Sequence, residues 1–598
     1  MIDETPGSVY NEMLDTHLEL QQKLIRNSRF YAVSRFSVFI IIISAVIAAF
    51  TVDSFWWWPA CLLLIAFIVL VVLNEKLLDI QRFNDARITA IRQEIGVFQW
   101  QFSAFEGGSE FADPGHLFTT DLDVFGENSI FQVVNRSATH AGKARLAHWL
   151  KVPLRNKTEI VSRQEAVKEL AALPDWRIRL RAHGMVAAED KSDMNSLYEW
   201  ISSKPIFESL VFRIAVILIP LLSATFTILL ISGVVSIQQF LLYLILPLSV
   251  TGFYTKAINR RHVMLSKKVS ILEKYSIRFR MIETKGFKSE FMDGLAGRLK
   301  SGITPASESI RKLGRITASL DTRLNLLAGF ILNIFLLWDI RQMIRLEQWQ
   351  RSHKDHLSGW FDVLSETEAV AGFGAYAYAF PGYVYPEIIT GEFAIRATDA
   401  GHPLIPEKQR INNGIKVTHK GHFNVVTGAN MAGKSTYLRT VGVNMVLALA
   451  GAPVCASQFS CYPAPVFTSL RTTDSLSTNQ SYFYAELLRL KDLIDRLGGG
   501  EELFILLDEI LKGTNSADKQ AGSKALLTQL VGLGAAGFIA THDLELGNLE
   551  KSFPDDVTNY SFEAEIRGDE LHFDYKLKPG IARNMNATFL MKRMGITI

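Results

Sequence analysis

The stretch GANMAGKST, Gly428 to Thr436, determines the fold predicted for the last third of this 598-residue chain. Its first eight residues follow the pattern G-x-x-x-x-G-K-S. An apolar, strand-like segment, Phe423–Thr427, precedes it, and a helix-like segment follows it to about Ala450. A strand, a glycine-rich loop and a helix in this order bind phosphate, because loop N–H groups and the helix N-terminus face the anion. The sequence therefore predicts an α/β P-loop NTPase domain.

The loop is predicted to bind ATP and Mg²⁺. Lys434 is expected to reach the β- and γ-phosphates, and the Ser435 hydroxyl to hold the metal ion. The full set of nucleotide-binding residues predicted within the loop is Gly428, Asn430, Gly433, Lys434, Ser435 and Thr436.

Two further strand-like segments end in polar residues. LFILL, residues 503–507, is followed by Asp508 and Glu509, and FIAT, residues 538–541, is followed by His542. Ligand sites of open α/β sheets lie at the carboxyl ends of the strands. Asp508 is therefore predicted to join Ser435 at the Mg²⁺ ion. Glu509 is predicted to orient the attacking water and His542 to contact the γ-phosphate, so these two are the predicted catalytic residues of an ATP hydrolase.

Apolar segments in the first half of the chain predict membrane spans. They cover residues 36–52, 55–73, 214–232 and 237–255, and each is close to the length of about 20 residues that a spanning helix needs. No Lys or Arg lies between Arg35 and Lys76, or between Arg213 and Lys256. The sequence thus predicts two transmembrane hairpins, 36–73 and 214–255, in contact with the lipid bilayer.

Basic residues flank both hairpins on the side away from their turns. The positive-inside rule then places both termini and the predicted ATPase domain in the cytoplasm, with four spans in the plasma (inner) membrane. A fifth apolar run, 324–338, is shorter and contains Asn325 and Asn333. It is predicted to be a helix of the soluble core.

The net charge and the cysteine content indicate no further class of function. The formal net charge of +3 is too small to indicate nucleic-acid binding by itself. The three cysteines, Cys61, Cys455 and Cys461, lack metal-ligand spacing, so neither a zinc site nor a disulfide framework is indicated.

The motifs resemble, in order and spacing, the ATPase domain of the MutS mismatch-repair proteins. They are GANMAGKST, then residues 474–487 (DSLSTNQSYFYAEL), 506–518 (LLDEILKGTNSAD) and 540–549 (ATHDLELGNL). Asn430 and Met431 inside the loop are distinctive of that family. Residues 121–170 are similar, more weakly, to the start of its helical core. Asn479 and Leu511–Lys512 depart from the family pattern, which usually has glycine, and glycine then arginine, at these positions.

The resemblance implies a homodimer through the ATPase domains, in which Ser481 faces the γ-phosphate held by the partner's Lys434. It also implies DNA as a ligand, through Arg-rich stretches such as residues 177–183 and 260–268. Basic residues beside membrane spans are equally explained by topology and anionic lipids. The family's mismatch-reading domain is not expected in residues 1–115, which the hairpin and its flanking helices occupy.

The predicted fold is an α/β P-loop NTPase domain of the ABC/MutS type, an all-α MutS-like core and two transmembrane helical hairpins. The predicted segments are an N-terminal cytoplasmic helix (1–35), hairpin 1 (36–73), a helical linker (74–115), the first part of the core (116–207), hairpin 2 (214–255), the second part of the core with its lever (256–389) and the ATPase domain (390–598). The predicted function is a membrane-anchored, MutS-like, ATP-driven dimeric switch that binds DNA. Two alternatives stay open: an ABC-type transporter, because LSTNQ is similar to LSGGQ, and a nucleotide-dependent scaffold for a protein partner.

Overall fold

The computed structural model describes residues 5–187, 191–266, 269–302, 304–429, 431–471, 482–512, 514–567 and 570–583. Its helices, numbered in chain order, are α1 Pro6–Thr51, α2 Trp57–Phe98, α3 Ile130–Val134, α4 His140–Lys151, α5 Lys157–Ala171, α6 Pro174–Ala187, α7 Lys191–Ser202, α8 Leu210–Ile231, α9 Ile237–Ser266, α10 Val269–Thr284, α11 Glu290–Lys300, α12 Ala306–Asp321, α13 Leu326–Leu336, α14 Trp338–Ala379, α15 Lys434–Leu449, α16 Tyr482–Gly498, α17 Ser516–Gly532 and α18 Leu549–Ser552. The strands are β1 Glu387–Ile388, β2 Ile395–Ala400, β3 Asn413–Val417, β4 Phe423–Gly428, β5 Gln458–Cys461, β6 Val466–Ser469, β7 Phe504–Asp508, β8 Ala536–Thr541, β9 Val557–Phe562, β10 Ala564–Arg567, β11 Glu570–Phe573 and β12 Lys578–Pro579.

A six-stranded sheet organises the C-terminal part of the chain, with strand order β12-β9-β4-β8-β7-β6. All neighbouring strands run parallel except β12, which pairs antiparallel with β9. Every residue of β4, β7 and β8 is buried, as expected for parallel strands covered on both faces. A smaller sheet, β1-β5-β2-β3, flanks it; β1 to β3 precede β4 in the chain, and β5 lies between β4 and β6. The coarse prediction of an α/β part joined to a helical part is confirmed.

Two long helices, α1 and α2, form an antiparallel hairpin. The Thr5 side chain caps α1 by accepting from the Ser8 N–H, and the helix then runs without a break through the predicted span. The outer surface of the hairpin is apolar: Phe36 of α1 is 68% exposed, and Trp58, at the start of α2, is 78% exposed. The predicted N-terminal helix and the first span are therefore one continuous element, as are the second span and the helix after it.

A second apolar hairpin is formed by α8 and α9. The Ser223 hydroxyl lies within 2.6 Å of the Tyr243 hydroxyl, and the Tyr243 hydroxyl donates to the Ile219 carbonyl at 3.0 Å. These bonds hold the two helices together where water is excluded. By length and composition, α1, α2, α8 and α9 are the described helices that qualify singly as membrane-crossing helices, and a bent pair, α13 with α14, raises the number to five if it counts as one span.

The run 324–338, predicted to form a helix of the soluble core, contains α13 and the first residue of α14. Helix α13 packs on the second hairpin, where the Ser223 hydroxyl donates to the Ile334 carbonyl at 3.0 Å. Its other face is open, with Leu327 77% exposed and Phe330 53% exposed. The chain then bends by 75° into α14, with Leu337 in the left-handed region at φ 45°.

The two asparagines of this run, Asn325 and Asn333, form hydrogen bonds with backbone groups at the two ends of α13. The Asn325 side chain caps α13 by accepting from the Ala328 N–H at 3.2 Å. The Asn333 side chain donates to the Gly329 carbonyl at 2.9 Å and accepts from the Asp339 N–H at 3.0 Å. They therefore satisfy backbone groups at a helix end, which is compatible with an apolar environment on the other side.

The helical part contacts the sheet through the entry segment before α3. Asp121 is buried and accepts from the Thr468 hydroxyl at 2.6 Å and from the backbone N–H groups of Leu470 and Arg471 at 3.1 and 3.0 Å. The Arg471 guanidinium makes a bidentate pair with Asp123, with both N···O distances at 2.7 Å. The end of β6 is thus tied to the helical part by charged groups.

Candidate functional site

The loop between β4 and α15 has a backbone that only glycine tolerates at two points. Gly428 has φ 148°, and a Cβ atom there would lie 2.5 Å from the Phe562 carbonyl oxygen. Gly433 has φ 102° and lies against the Tyr575 ring, 3.0 Å from where its Cβ would be. Helix α15 begins at Lys434, the next residue. The loop therefore closes tightly over the N-terminus of a 16-residue helix.

Lys434 points back across this loop. Its Nζ donates to the carbonyl oxygens of Gly428 at 2.6 Å and Ala429 at 3.0 Å, and the residue is only 4% exposed. Burial lowers the pKa of Lys434, an effect that the charges of Glu509 and Asp508 oppose. The ammonium group thus sits in a desolvated position beside two carboxylates.

Ser435 and Asp508 meet at the end of β7. The Ser435 hydroxyl donates to Asp508 Oδ2, whereas Asp508 Oδ1 is buried with no hydrogen-bond partner among the described residues. Burial raises the pKa of Asp508, and the Ser435 hydrogen bond counteracts this. An unpaired buried carboxylate oxygen is costly, so this atom is suited to a cation.

Glu509 is held in an unusual backbone conformation, with φ 48°. Its N–H donates to the Ala540 carbonyl at 2.9 Å, which ties the end of β7 to β8. Its carboxylate lies 3.4 Å from His542 Nδ1 and 3.6 Å from Lys512 Nζ. Burial raises the pKa of Glu509, but the charges of Lys512, His542 and Lys434 outweigh it, so the net shift is downward. Glu509 is therefore ionised at neutral pH.

His542 follows β8 directly, and Lys519 from α17 approaches its Nε2 at 3.4 Å. The parallel sheet therefore places Lys434, Ser435, Asp508, Glu509 and His542 at one edge, as the sequence predicted for the ends of β4, β7 and β8. Thr436 lines the same cleft. Asn430 and Ser481, which complete the predicted set, lie outside the described residues.

A cleft of about 600 Å³ opens beside these groups. Its far wall consists of residues that the sequence analysis did not single out, namely Arg410, Ile411, Asn413 and Tyr575. Asn413 fixes the Tyr575 segment, because its side chain donates to the Tyr575 carbonyl at 3.0 Å and accepts from the Leu577 N–H at 2.9 Å. No motif marks these positions. A larger cavity of about 930 Å³ lies between the two sheets, but none of the predicted site residues lines it.

The cleft has the donors and acceptors for a phosphate and a cation, but not a metal site of its own. Within the described ranges, no group of three or more His, Cys, Asp or Glu side chains converges as metal ligands. Mg²⁺ commonly uses one or two carboxylates together with substrate phosphates and waters, so Ser435 and Asp508 fit such an ion.

These features define the class: an α/β protein with a glycine-rich loop at the edge of a parallel sheet, joined to a helical core. Residues 424–592 match the family model for MutS domain V, and residues 116–326 match that for MutS domain III. The second match includes both helices of the second hairpin. The chain belongs to the MutS family and is related to mismatch-repair proteins.

Individual relatives agree with this assignment. The chain is 34% identical over 220 residues to the DNA mismatch repair protein MutS of Aquifex pyrophilus, which covers 36% of this chain and 25% of the relative. It is 31% identical over 235 residues to MutS protein homolog 4 of Homo sapiens, covering 38% and 24%. It is 29% identical over 250 residues to MutS of Thermotoga petrophila, covering 41% and 31%. The matched part thus spans about a quarter to a third of each relative.

Proposed function

We propose that this protein is a membrane-anchored, MutS-type ATP hydrolase whose nucleotide state switches a dimer that binds DNA. The observation that carries the proposal is the convergence of Lys434, Ser435, Asp508 and Glu509 at one edge of the parallel sheet. Each is buried or half-buried; Lys434 and Ser435 begin α15, and Asp508 and Glu509 stand at the end of β7. An ionic cluster of this kind is costly without a charged ligand.

The loop and the start of α15 would hold the phosphates. Backbone N–H groups at the N-terminus of α15 have no intrahelical partner, and the helix dipole favours an anion there. Lys434 would exchange its two carbonyl contacts for phosphate oxygens. Ser435 and Asp508 would hold Mg²⁺, which neutralises phosphate charge.

Glu509 would act on the water that attacks the γ-phosphate. Its downward-shifted pKa keeps it an acceptor at neutral pH, and its backbone is fixed to β8 by the bond to Ala540. His542, 3.4 Å from its carboxylate, is placed to contact the same reacting group. The two residues are the proposed catalytic pair.

The far wall of the cleft would receive the adenine base. Tyr575 is 44% exposed and lies beside the loop, and two exposed apolar residues, Ile411 and Met431, line the same cleft. A flat ring and apolar neighbours suit a base, whose faces are apolar and whose edges are polar. This assigns a role that the phosphate motif does not specify.

Tyr575→Ala is expected to weaken ATP binding about tenfold, since stacking on one aromatic ring contributes about 1–3 kcal/mol. Tyr575→Phe, which keeps the ring, should bind within about twofold of wild type. Equilibrium binding of a fluorescent ATP analogue with its label on the ribose measures both variants. Equal loss of affinity in both, or in neither, would contradict the placement of the base.

The four apolar helices would anchor the protein in a bilayer. Their exposed faces carry large apolar side chains over two full hairpins, which water does not tolerate on this scale. The basic residues at the open ends of both hairpins orient the cleft and the two termini to the cytoplasmic face of the inner membrane. An ABC-type transporter is not favoured, because the family matches are to MutS.

Two copies of the chain would complete each ATP site. Helix α16 begins at Tyr482, directly after Ser481, and its Glu486 accepts from the Leu511 N–H at 2.7 Å. Leu511 lies two residues after Glu509, so α16 is mechanically linked to the catalytic segment. A partner's phosphate contacting the start of this helix would therefore be sensed at Glu509.

Mixing two inactive variants is expected to restore activity if the site is composite. Ser481→Arg disrupts the contact made to the partner's nucleotide, and Lys434→Ala disrupts binding of the chain's own nucleotide. A mixed dimer contains one intact site, so ATP hydrolysis should recover to roughly a quarter of wild type after random subunit exchange, when half of the dimers are mixed and each has one of two sites. Mixed dimers, verified by two affinity tags, that stay as inactive as either parent would contradict the shared site.

DNA is proposed as the ligand whose binding the nucleotide controls. DNA binding is expected to raise the ATPase rate of the full chain severalfold, and the affinity for DNA should fall as salt rises, because Lys and Arg release counterions from the backbone. Steady-state hydrolysis with homoduplex, mismatched and branched DNA of equal length measures this. Rates that are unchanged by all three would contradict the DNA assignment and leave the ATPase proposal intact.

A further inference from the structure

A second polar cavity, away from the cleft, lies between α12 and α14. It measures about 520 Å³ and is lined by Lys312, Arg315 and Ser319 of α12 and by Arg345, Gln348 and Ser352 of α14, among others. We call it the boundary groove. Two tryptophans fix the antiparallel register of its walls: Trp338 Nε1 donates to the Ser319 carbonyl and Trp349 Nε1 to the Ser309 carbonyl, both at 2.8 Å. The groove is therefore a rigid feature.

The groove carries three cations and no lining carboxylate. Lys312, Arg315 and Arg345 are exposed, and none of them forms an ion pair within the described part of the chain. The Arg345 guanidinium donates to the side-chain oxygen of Gln342 at 3.5 Å, which is a neutral group on the same helix. Three like charges in one concave site repel one another, and an anion relieves that repulsion.

Hydrogen bonds between α14 and the start of the second hairpin show where the groove lies along the length of that hairpin. The Arg341 guanidinium donates to the Val216 carbonyl at 3.4 Å, near the start of α8. One and a half turns further along α14, Glu347 accepts from the backbone N–H groups of Ile206 and Phe207, both at 2.7 Å. Arg345 lies between these two points, so it is level with the segment in which α8 begins.

That level is where the charge-free surface of the second hairpin starts. No Lys or Arg occurs between Arg213 and Lys256, and Leu210, Val211 and Ile214 are exposed apolar residues at the entry to α8. The headgroup layer on each side of a bilayer is about 5–8 Å thick. The three cations therefore lie at headgroup depth if the hairpin spans the membrane.

We infer that the boundary groove binds the phosphate of an anionic phospholipid headgroup; this rests on the proposed membrane anchoring. The cavity is of headgroup size and its cations lie at headgroup level. The Gln348 amide and the oxygens of Ser319 and Ser352, whose protons go to helix carbonyls, can accept from the hydroxyls of a glycerol or similar polar headgroup. Duplex DNA fits this place poorly, because the bilayer surface beside α8 would exclude a rod as wide as a double helix. A lipid in the groove would contact both α12 and α14 and so fix the helical core on the membrane.

Binding of a short-chain anionic lipid to the full chain tests this. Dioctanoyl-phosphatidylglycerol and dioctanoyl-phosphatidylcholine are titrated into delipidated protein in detergent, and bound lipid is counted by native mass spectrometry. We expect selective binding of the phosphatidylglycerol. Each cation near a membrane surface contributes about a fivefold gain in affinity, so Lys312→Gln/Arg315→Gln/Arg345→Gln should weaken it roughly 100-fold.

A matched control removes the same charge outside the groove. Arg311→Gln/Lys354→Gln/Arg280→Gln changes three exposed residues of α12, α14 and α10 that do not line it, and should bind within about threefold of wild type. Equal affinity for the two lipids, or equal loss in both triple variants, overturns the inference.

Two competition arms distinguish other ligands. Displacement of the lipid by inorganic phosphate at equal concentration overturns the lipid assignment in favour of a free phosphate ligand. Binding of a duplex oligonucleotide that is lost only in the groove variant overturns it in favour of DNA. Extraction of the protein from membranes by alkaline carbonate tests the membrane anchoring separately. A protein that resists extraction but shows no lipid preference contradicts the groove site alone. A protein that is extracted contradicts the membrane anchoring on which the groove site rests.

Discussion

Glu509→Gln is expected to bind Mg-ATP within about threefold of wild type and to hydrolyse it at least 100-fold more slowly. The amide keeps the size of the side chain, but it cannot accept a proton or polarise the attacking water, and such a group contributes about 10²–10⁴ in rate. The loss should appear in kcat, because Glu509 in its proposed role acts in the transition state and contributes little to ground-state binding. Single-turnover hydrolysis and equilibrium nucleotide binding, measured on the same preparation, separate the two effects.

Lys434→Ala is expected to differ from Glu509→Gln by losing nucleotide binding. Lys434 is buried beside the loop and, as proposed, contacts phosphate in the ground state, so its loss should weaken ATP binding by more than tenfold and abolish turnover at ordinary ATP concentrations. Similar binding losses in the two variants would contradict the separate roles. Full hydrolysis by Glu509→Gln would show that the water is positioned by another residue.

Glu368→Ala is expected to destabilise the helical core by about 3–5 kcal/mol. Glu368, on α14, is 3% exposed and accepts from the Ala138 N–H at 3.2 Å, the Thr139 N–H at 3.3 Å and the Thr139 hydroxyl. It also pairs with Arg278 of α10, which is 1% exposed. Removing the carboxylate leaves a buried guanidinium without its charge partner, and that produces a loss of this size.

Glu366→Ala is the matched control, two residues away on the same helix. Glu366 forms its ion pair with Arg298, which is 48% exposed, at 3.5 Å. The Glu366 side chain is 17% exposed, but its partner remains in contact with solvent, so this pair should contribute about 1 kcal/mol, well below the fully buried pair. Thermal and urea unfolding of the full chain in nanodiscs, followed by circular dichroism, compares the two variants. Equal midpoints for Glu366→Ala and Glu368→Ala would contradict the structural role of the buried pair.

The sequence indicated which side chains meet at the sheet edge because Asp508, Glu509 and His542 stand at the ends of short strands. Strands β7 and β8 are almost entirely apolar, and the polar residue at the end of each marks its carboxyl end, whereas β4 includes Asn424 and Thr427 and its end is marked by the glycine-rich loop. Local pattern and tertiary position agree at such places, since a buried parallel strand has no polar face to confuse the reading. The convergence of Lys434, Asp508, Glu509 and His542 followed from that pattern.

Other features depended on contacts between distant segments. The placement of α13 is decided by its packing on α8 and by the left-handed Leu337, neither of which a hydropathy pattern shows. Tyr575 reaches the cleft only because Asn413, far away in the chain, fixes its backbone. The buried pair of Arg278 and Glu368 likewise joins residues 90 positions apart. Short-range periodicity carries no information about such partners.

Hydrolysis of ATP by carbonate-washed membranes is the decisive experiment for a membrane-anchored ATPase, because it measures the proposed chemistry and the proposed anchor together. Membranes from cells that produce the wild-type chain or Glu509→Gln in equal amounts are washed with alkaline carbonate, sealed as inside-out vesicles and given Mg-ATP outside. We expect an ATPase activity that survives the wash, is present with wild type and falls at least about 100-fold with Glu509→Gln after subtraction of the activity of membranes without the protein. Loss of the protein to the carbonate supernatant, or retained protein whose activity is the same in both membranes, would contradict it.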